Sequence, residues 1–193
     1  MTETSARRAR SVHNLGYTLP KWKFSSGFLS AATSNWTWSG VTTVQSGLPF
    51  SVTDSTSGTI YGISAYAQYA PGITLNNVIL SGSPQSRLSH YFNTSAYTTA
   101  PTIGDGTGFG NSGRDALRGP GQFNFDTSFG REFKVGGLSE TAQLQIRGEF
   151  FNIFNHAQFN NPGSNLGAAS SFGVISSTAV GPRIVQLALK YSF

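Results

Sequence analysis

The chain contains no cysteine and a single methionine among its 193 residues. Without cysteine it can have no disulfide-stapled scaffold, thiol nucleophile or thiolate metal site. Charged residues make up only 11% of the chain, against roughly 25% in an average soluble domain. No apolar run approaches the ~20 residues that a transmembrane helix requires. This composition fits neither a charged helical enzyme nor a helical membrane protein.

The start of the chain is basic, with Arg7, Arg8 and Arg10, and no apolar stretch follows these arginines. It therefore does not have the pattern of a signal peptide. We expect residues 1–10 to be a truncated start outside the folded part. The net charge is +5, and the basic residues after Arg10 are scattered along the chain. Nucleic-acid-binding proteins usually cluster lysine and arginine on one face, so we predict no nucleic-acid partner.

Aromatic residues reach 13% of the chain, and glycine contributes 23 residues. Strand and turn formers thus dominate over helix formers such as glutamate. The strongest local signal is alternation with a period of two, which is typical of strands. This alternation predicts long strands over 11–19, 35–46, 122–135, 141–150 and 183–193, and a shorter strand over 50–53.

The clearest alternation lies in 122–135, where phenylalanines share one face and polar side chains share the other. A helix would scatter these phenylalanines around its axis. Residues 141–150 repeat the alternation, and the short Gly-rich segment 136–140 separates the two stretches. We therefore predict an antiparallel hairpin with long arms.

The stretch 54–121 is rich in Ser, Thr, Gly, Asn and Pro, and 157–181 is also irregular. Structureless connections of this length are uncommon in compact domains. Long strands combined with short turns and long polar loops are typical of a transmembrane β-barrel. Arms of about 9–14 residues can cross a bilayer when tilted, whereas most globular strands have about 5–6 residues. A secreted soluble β-sandwich that binds carbohydrate through its aromatic residues is the alternative.

The last predicted strand ends on an aromatic residue and has apolar residues at every second position before it. This arrangement resembles the C-terminal assembly signal of bacterial outer-membrane barrels, whose last strand is recognised by the barrel-assembly machinery. An exposed strand edge can pair with another sheet by β-augmentation. The residues of this predicted barrel-assembly signal are Val185, Leu187, Leu189, Tyr191 and Phe193.

Several stretches together resemble the end region of TonB-dependent outer-membrane receptors, in particular the Oar-like subgroup of the acidobacterial type. The longest is GNSGRDALRGPG at 110–121, which is followed by FNFD at 123–126. The others are EFFNIFNH at 149–156, NPGSNLG at 161–167, WTWSG at 36–40 and VQSGLPF at 44–50. The resemblance extends over about residues 12–193 in the family's order.

The resemblance implies an all-β fold in which long antiparallel strands form part of a 22-stranded barrel that encloses an N-terminal plug. Residues 11–193 would be its C-terminal segment, about five or six strands, with 54–121 mostly in long polar extracellular loops. The whole receptor would import a nutrient across the cell outer membrane using energy relayed by TonB. Its partners would be outer-membrane lipid, the rest of the barrel and plug, and the assembly machinery, with TonB engaged only through the missing N-terminal part.

This segment would be open and inactive alone, because the smallest closed outer-membrane barrels have about eight strands. It would be neither an enzyme nor a cofactor-binding protein. A small barrel closed by two or more copies of the chain is a third interpretation.

The alternation assigns side chains to two sides of the barrel wall. Gln143, Gln145, Arg147 and Glu149 would face the lumen. Arg131 conflicts with this assignment because it shares a face with the phenylalanines. An arginine facing lipid at mid-depth costs ~2–4 kcal/mol, so Arg131 lies at the membrane edge or the strand changes face through a bulge. The predicted lipid-facing residues are Leu15, Tyr17, Trp36, Trp38, Phe123, Phe125, Phe129, Leu144, Ile146, Leu187 and Leu189.

A second conflict is the pair Phe150-Phe151, because neighbouring residues of a strand point to opposite faces. Without a bulge, Phe151 and Ile153 would point towards the lumen.

Three charged residues, Arg114, Asp115 and Arg118, flank the loop before the phenylalanine-rich strand. All three could contact a ligand, or the two arginines could anchor the loop through charge pairs with Asp115 or Asp105. The two aspartates lack the spacing of a calcium-binding loop. The three histidines likewise lack metal-ligand spacing, so we predict no metal or cofactor.

Overall fold

A computed structural model describes residues 9–20, 33–56, 65–100, 110–135 and 141–193, in which nearly all regular structure is β. Helical elements that lie wholly within the described residues are a short helix, α1 (Leu75–Val78), and two 3-10 turns (Pro84–Arg87 and Thr94–Ala96). The strands, in chain order, are β1 (Arg10–Thr18), β2 (Trp36–Gln45), β3 (Pro49–Phe50), β4 (Thr53–Asp54), β5 (Ala65–Tyr66), β6 (Gln68–Tyr69), β7 (Tyr97–Thr98), β8 (Leu117–Arg118), β9 (Gln122–Lys134), β10 (Gln143–Phe151) and β11 (Ile184–Ser192).

The chain divides into two compact units. The sheet unit comprises Arg10–Val44, Phe123–Ala157 and Gly181–Phe193, and the core unit comprises Met1–Ala9, Gln45–Gln122 and Gln158–Val180. Three expectations fall outside the described residues: the turn at 136–140, the position of Asp105, and residues 1–8 of the basic start.

The sheet unit is built on one five-stranded sheet with the order β1-β2-β9-β10-β11. β10 pairs antiparallel with both β9 and β11. Leu19 N donates to Trp36 O (2.8 Å), and Ser46 N donates to Ala9 O (2.9 Å), so β1 and β2 are also antiparallel. The observed strands begin and end within two residues of the five long strands predicted from alternation. The prediction of an all-β fold with long antiparallel strands is confirmed.

The two longest connections join strands at the same end of this sheet. Residues 46–121 join β2 to β9, and residues 152–183 join β10 to β11. We call this the loop end and the opposite one the turn end, where residues 135–142 join β9 to β10. The C-terminal end of β11 is therefore at the turn end.

The core unit contains three two-stranded sheets, which pair β3 with β8, β4 with β5, and β6 with β7. Aromatic rings pack edge to face at its centre, with centroids 5.3 Å apart for Phe92 and Phe172. The sequence predicts mostly loop over 54–121, and the described part of that stretch has irregular backbone that nevertheless shares a buried core. The buried cluster consists of Phe50, Val52, Ala67, Val78, Tyr91, Phe92, Ala96, Tyr97, Leu117, Phe172 and Ile175.

A fully buried carboxylate ties the segments of the core unit together. Asp54 accepts hydrogen bonds from Thr56 N (2.8 Å), Thr56 Oγ1 (2.6 Å) and Ala100 N (3.3 Å). These donors offset the cost of removing the carboxylate from water. The Asp54 side chain thus fixes backbone segments of the core unit, in which the sheets have only two strands each.

Candidate functional site

One face of the five-stranded sheet is apolar across β9, β10 and β11. Residues paired across antiparallel strands point to the same side, and the register places Phe133, Leu144 and Tyr191 in one row. The face is uncovered, since Leu187 is 83% exposed and Leu189 is 69% exposed. The other paired residues of this face are Thr127, Phe129, Arg131, Ile146, Gly148, Phe150, Val185, Leu187 and Leu189.

The same apolar face continues onto β2 and β1. Trp38 contacts Thr127 of β9, and a Cβ at Gly40 would lie 3.1 Å from the Phe125 ring. The hydrogen bond between Leu19 and Trp36 aligns the two strands so that Tyr17 lies beside Trp38. The side chains predicted to face lipid therefore share one side of the sheet. Several of them are among the exposed apolar residues, namely Leu15, Tyr17, Phe123, Phe129 and Ile146.

The opposite face of the sheet is polar. Gln145 Nε2 donates to Glu132 Oε1 at 2.8 Å, and Ser39 Oγ lies 2.7 Å from Ser128 Oγ. A salt bridge of 2.9 Å joins Arg147 to Glu149. An open groove of about 440 Å³ on this face is lined by residues that include Ser39, Ser128, Glu132, Gln145 and Arg147. The residues predicted to face a lumen, Gln143, Gln145, Arg147 and Glu149, lie on this side.

A polar pair on the apolar face, Trp38 and Thr127, forms hydrogen bonds within the sheet. Trp38 Nε1 donates to Thr127 Oγ1 at 2.6 Å, and that hydroxyl donates to Ser39 O at 2.9 Å. Thr127 is only 6% exposed. A threonine is therefore accommodated among phenylalanines because its hydroxyl links β9 to β2.

Arg131 stays on the apolar face without any change in strand phase. It pairs with Ile146, and the neighbouring pairs of β9 and β10 follow without interruption, which excludes a bulge at this point. Its guanidinium carbon lies 5.2 Å from the Phe133 ring centroid. Arg131 is three residues from the turn end of β9, or about 10 Å along the strand. The register therefore excludes the bulge, and a position of Arg131 at the membrane edge stays a prediction.

The Phe150-Phe151 pair also follows a regular register, because Phe150 pairs with Val185 and Phe151 with Ile184. Phe151 therefore points to the polar face, as expected for a strand without a bulge. Ile153 lies beyond the end of β10, and its N–H donates to Phe125 O at 3.1 Å.

Asparagines organise the turn that follows β10, and the sequence analysis did not identify this role. Asn152 is 4% exposed and adopts a φ of 49°, as does Asn155. Asn152 N donates to Asp126 Oδ1 (2.8 Å), and Asn152 Nδ2 donates to Gly181 O (3.2 Å). Asn155 Oδ1 accepts from Arg183 N (3.1 Å). The sequence feature that could have predicted this turn is the pair of asparagines three residues apart after a strand, because asparagine tolerates positive φ.

Aromatic rings occur near both ends of the apolar face. At the loop end, Phe154 stacks on Phe125 with ring centroids 5.7 Å apart. At the turn end, the Tyr191 and Phe193 centroids are 6.0 Å apart. The ten-residue step from Phe123 to Phe133 spans about 33 Å along the strand, which gives a height of about 25 Å at the usual barrel tilt. This height matches the apolar band of an outer-membrane barrel.

The three predicted loop residues lie in the core unit. Arg114 is exposed and lies 3.7 Å from Asp115. Asp115 N donates to Ser51 Oγ (2.7 Å), and Arg118 Nη1 donates to Gly47 O (3.3 Å). Asp115 and Arg118 therefore contact other segments of the core unit. Among the described residues, no group of three His, Cys, Asp or Glu side chains could hold a metal ion.

Buried tyrosines in the core unit have perturbed acidity. Burial raises the pKa of Tyr97 strongly, and burial also raises the pKa of Tyr69. Burial raises the pKa of Tyr91 as well, although the nearby Arg87 guanidinium acts in the opposite direction. The Tyr91 hydroxyl donates to Arg118 O at 3.1 Å. These phenols therefore pack as neutral groups in the core.

An antiparallel sheet with one exposed apolar face, one polar face and aromatic rings near both ends has the features of a transmembrane β-barrel wall. A family model described as an outer membrane beta barrel domain matches residues 2–186, and the chain belongs to this family. Its location is accordingly the outer membrane. No curated protein and no solved structure matches the chain. Among the described residues, none of the helices is long and apolar enough to cross a membrane.

Proposed function

We propose that the chain is the C-terminal barrel segment of a TonB-dependent receptor of the Oar-like type. The whole receptor would import a nutrient across the outer membrane. The observation that carries the proposal is the division of the sheet into an uncovered apolar face and a polar face that includes Arg147 and Glu149. A solute-conducting barrel needs this division, because one side contacts lipid and the other contacts water or a plug.

Contacts between the stretches that resemble this receptor family support the proposal. The segments 44–50 and 110–121 pair through β3 and β8, where Pro49 lies opposite Arg118 and Phe50 opposite Leu117. A Cβ on Gly47 would overlap the backbone of Gly119, so the close approach of the two segments requires glycine. The segment 149–156 forms the end of β10 and the asparagine turn. These stretches therefore have defined structural roles.

The described strands do not close a barrel. The sheet has five strands with β1 and β11 at its edges, whereas the smallest outer-membrane barrels have about eight. Unpaired backbone groups at a sheet edge are very unfavourable in lipid. The chain would therefore act only with further barrel strands and a plug. Lipid and the assembly machinery are its other proposed partners, and the proposal includes no catalytic activity, cofactor or nucleic acid.

The direction of the edge strands argues against a barrel closed by copies of this chain. Because the described sheet has five antiparallel strands, β1 and β11 run in the same direction. Copies arranged around an axis along the barrel would place β11 of one copy parallel to β1 of the next. Bacterial single-chain barrels are antiparallel with an even number of strands. An odd number of further strands, added to these five, would give an antiparallel barrel with an even number of strands.

The soluble sandwich that binds carbohydrate gains no support, because a sandwich buries the inner faces of its sheets. Here the apolar face that includes Leu187 and Leu189 is uncovered.

Fractionation of the native cells tests the membrane part of the proposal. An antibody against residues 110–121 should detect a product in the outer membrane, with a mass several times the 20.6 kDa of this chain. A product of 20.6 kDa in a soluble fraction would contradict it.

Energised uptake tests the receptor part of the proposal. Strains lacking either this gene or TonB should lose uptake of the same compound from a panel of labelled sugars and peptides. Strains lacking an unrelated receptor gene serve as the matched control. If uptake in cells that lack TonB still depended on this gene, the protein would be a TonB-independent pore.

A further inference from the structure

We propose that the groove on the polar face of the sheet binds a neutral saccharide, which makes saccharides the substrate class of the transporter. This inference rests on the proposed receptor function and adds a site and a ligand class to it. The groove has a volume of about 440 Å³, which lies within the range of sites for small molecules. The described residues that line it all belong to the sheet unit.

The lining of the groove has hydrogen-bonding chemistry that suits a sugar. The described residues that line it are polar or glycine, with no aliphatic or aromatic side chain among them. Hydroxyls come from β2 and β9, where Ser39 Oγ lies 2.7 Å from Ser128 Oγ. An amide, a carboxylate and a guanidinium come from Gln145, Glu132 and Arg147. Donors and acceptors therefore lie side by side, as sugar hydroxyls require, because each hydroxyl both donates and accepts.

Contacts within the groove hold these groups in place before a ligand binds. Gln145 Nε2 donates to Glu132 Oε1 at 2.8 Å, which restrains both side chains and uses one oxygen of the carboxylate. Side chains that are restrained in advance lose less conformational entropy on binding. Gly130 and Ala188 pair with Arg147 from the two neighbouring strands. These small residues leave space beside the Arg147 side chain for a sugar ring.

The charges around the groove are balanced. Arg131, Arg147 and Glu132 are among the lining residues. Arg147 forms a salt bridge of 2.9 Å with Glu149, so two guanidinium groups are matched by two carboxylates. Clefts that attract charged solutes are lined by charge of one sign. A neutral polar ligand therefore fits this groove better than an ion does.

The position of the groove in the sheet argues against a peptide. Its lining residues lie on or next to β2, β9 and β10, the three inner strands in the order β1-β2-β9-β10-β11. Extended peptides bind by adding a strand to an exposed sheet edge, with pockets for alternate side chains. Each inner strand is already paired on both sides, so its backbone offers no such edge. A saccharide does not need a strand edge.

Uptake kinetics in the native cells test the proposal on the whole gene product. Initial rates are measured against concentration for radiolabelled neutral mono- and disaccharides and for a labelled neutral tripeptide, with and without TonB. Gln145→Leu removes the amide of the groove at nearly constant size, and Ser128→Ala is a smaller change in the groove. Gln143→Leu is the matched control, because Gln143 lies on the same strand and face but does not line the groove. Immunoblots measure the amount of each variant in the outer membrane.

We expect uptake of a saccharide that requires both this gene and TonB. Gln145→Leu should raise the half-saturating concentration about fivefold, the effect of one lost hydrogen bond. The maximal rate and the amount in the outer membrane should stay at the wild-type level. Ser128→Ala should raise the half-saturating concentration as well, and Gln143→Leu should not change it.

The outcomes that overturn the saccharide site differ from those that overturn the receptor function. Uptake of the tripeptide but of no saccharide through this gene and TonB would refute the site and leave the receptor proposal standing. An unchanged half-saturating concentration in Gln145→Leu, or an equal rise in Gln143→Leu, would also refute the site. If Gln145→Leu did not reach the outer membrane, Ser128→Ala would decide between these results. Uptake that never required both this gene and TonB would refute the receptor proposal, and the saccharide site with it.

Discussion

Thr127 forms two hydrogen bonds on the apolar face, and its replacement by valine tests their contribution to stability. Hydropathy and hydrogen bonding predict opposite signs for the change in the free energy of unfolding. Hydropathy alone predicts that Thr127→Val stabilises the protein, because valine is more apolar and has nearly the same shape. The structure predicts the reverse. Valine removes the acceptor of the Trp38 indole N–H (2.6 Å) and a donor to Ser39 O (2.9 Å).

The magnitude follows from these two bonds. A typical intramolecular hydrogen bond contributes about 0.5–1.5 kcal/mol net, and interhelical side-chain bonds in a membrane protein average about 0.6 kcal/mol with a maximum near ~1.7. Thr127 is 6% exposed, so little is gained by making its surface more apolar. We expect Thr127→Val to lower the free energy of unfolding by about 1–2 kcal/mol.

Urea unfolding of the protein in lipid vesicles, followed by tryptophan fluorescence, measures this difference. Thr42→Val makes the same chemical change on the same face of β2, away from the Trp38 pair, and is the matched control. A double-mutant cycle with Trp38→Phe isolates the coupling between the indole and the hydroxyl. The reasoning is refuted if Thr127→Val is as stable as the wild type, or if the two changes are additive.

Four further predictions concern other parts of the chain. Asn152→Ala should lower the free energy of unfolding by about 2–3 kcal/mol in the same urea assay, because it removes buried hydrogen bonds and strains a residue with positive φ. Gly47→Ala should separate β3 from β8, since its methyl group would overlap the Gly119 backbone, and unchanged hydrogen exchange there would contradict this. Burial raises the pKa of Tyr97, so its stabilising effect is complete below the unfolded pKa of about 10 and is lost as pH rises through the folded value; Tyr97→Phe should remove this alkaline loss in urea titrations at increasing pH. Deletion of Phe193 from the proposed receptor should reduce its amount in the outer membrane, and unchanged amounts on immunoblots would contradict an assembly signal.

The long strands could be predicted from the sequence because alternation is a local property. In β9, four of the six alternate positions from Phe123 to Phe133 are phenylalanine, and this spacing specifies both the strand and its two faces. The order β1-β2-β9-β10-β11 also matches the predicted hairpin of β9 and β10. Predicted lipid-facing residues such as Ile146 and Leu189 lie side by side because the register aligns their strands.

The core unit could not be predicted in the same way. Its buried residues come from short segments, so Phe50, Val78 and Phe172 are far apart in the chain and follow neither a strand nor a helix period. The polar residue Asp54 organises its backbone through contacts that span 46 residues, to Ala100. The asparagine turn was missed for a related reason. Its hydrogen bonds join Asn152 to Asp126 and Gly181, and no local pattern records these distant partners.

The two units differ in where their apolar side chains lie. In the core unit, Phe92 and Tyr97 are buried by other side chains of the same unit, which is how a fold is stabilised in water. In the sheet unit, Leu187 and Leu189 belong to a face that nothing in the described chain covers. Covering a leucine side chain is worth about 1.5–3 kcal/mol, so a face with many such residues would be strongly unfavourable in water. Lipid removes that cost on one face, while Arg147 and Glu149 form a salt bridge with each other on the polar face. The aromatic-rich, charge-poor composition is therefore common to both units. The alternation along the strands is the sequence feature that distinguishes the sheet unit from the core unit.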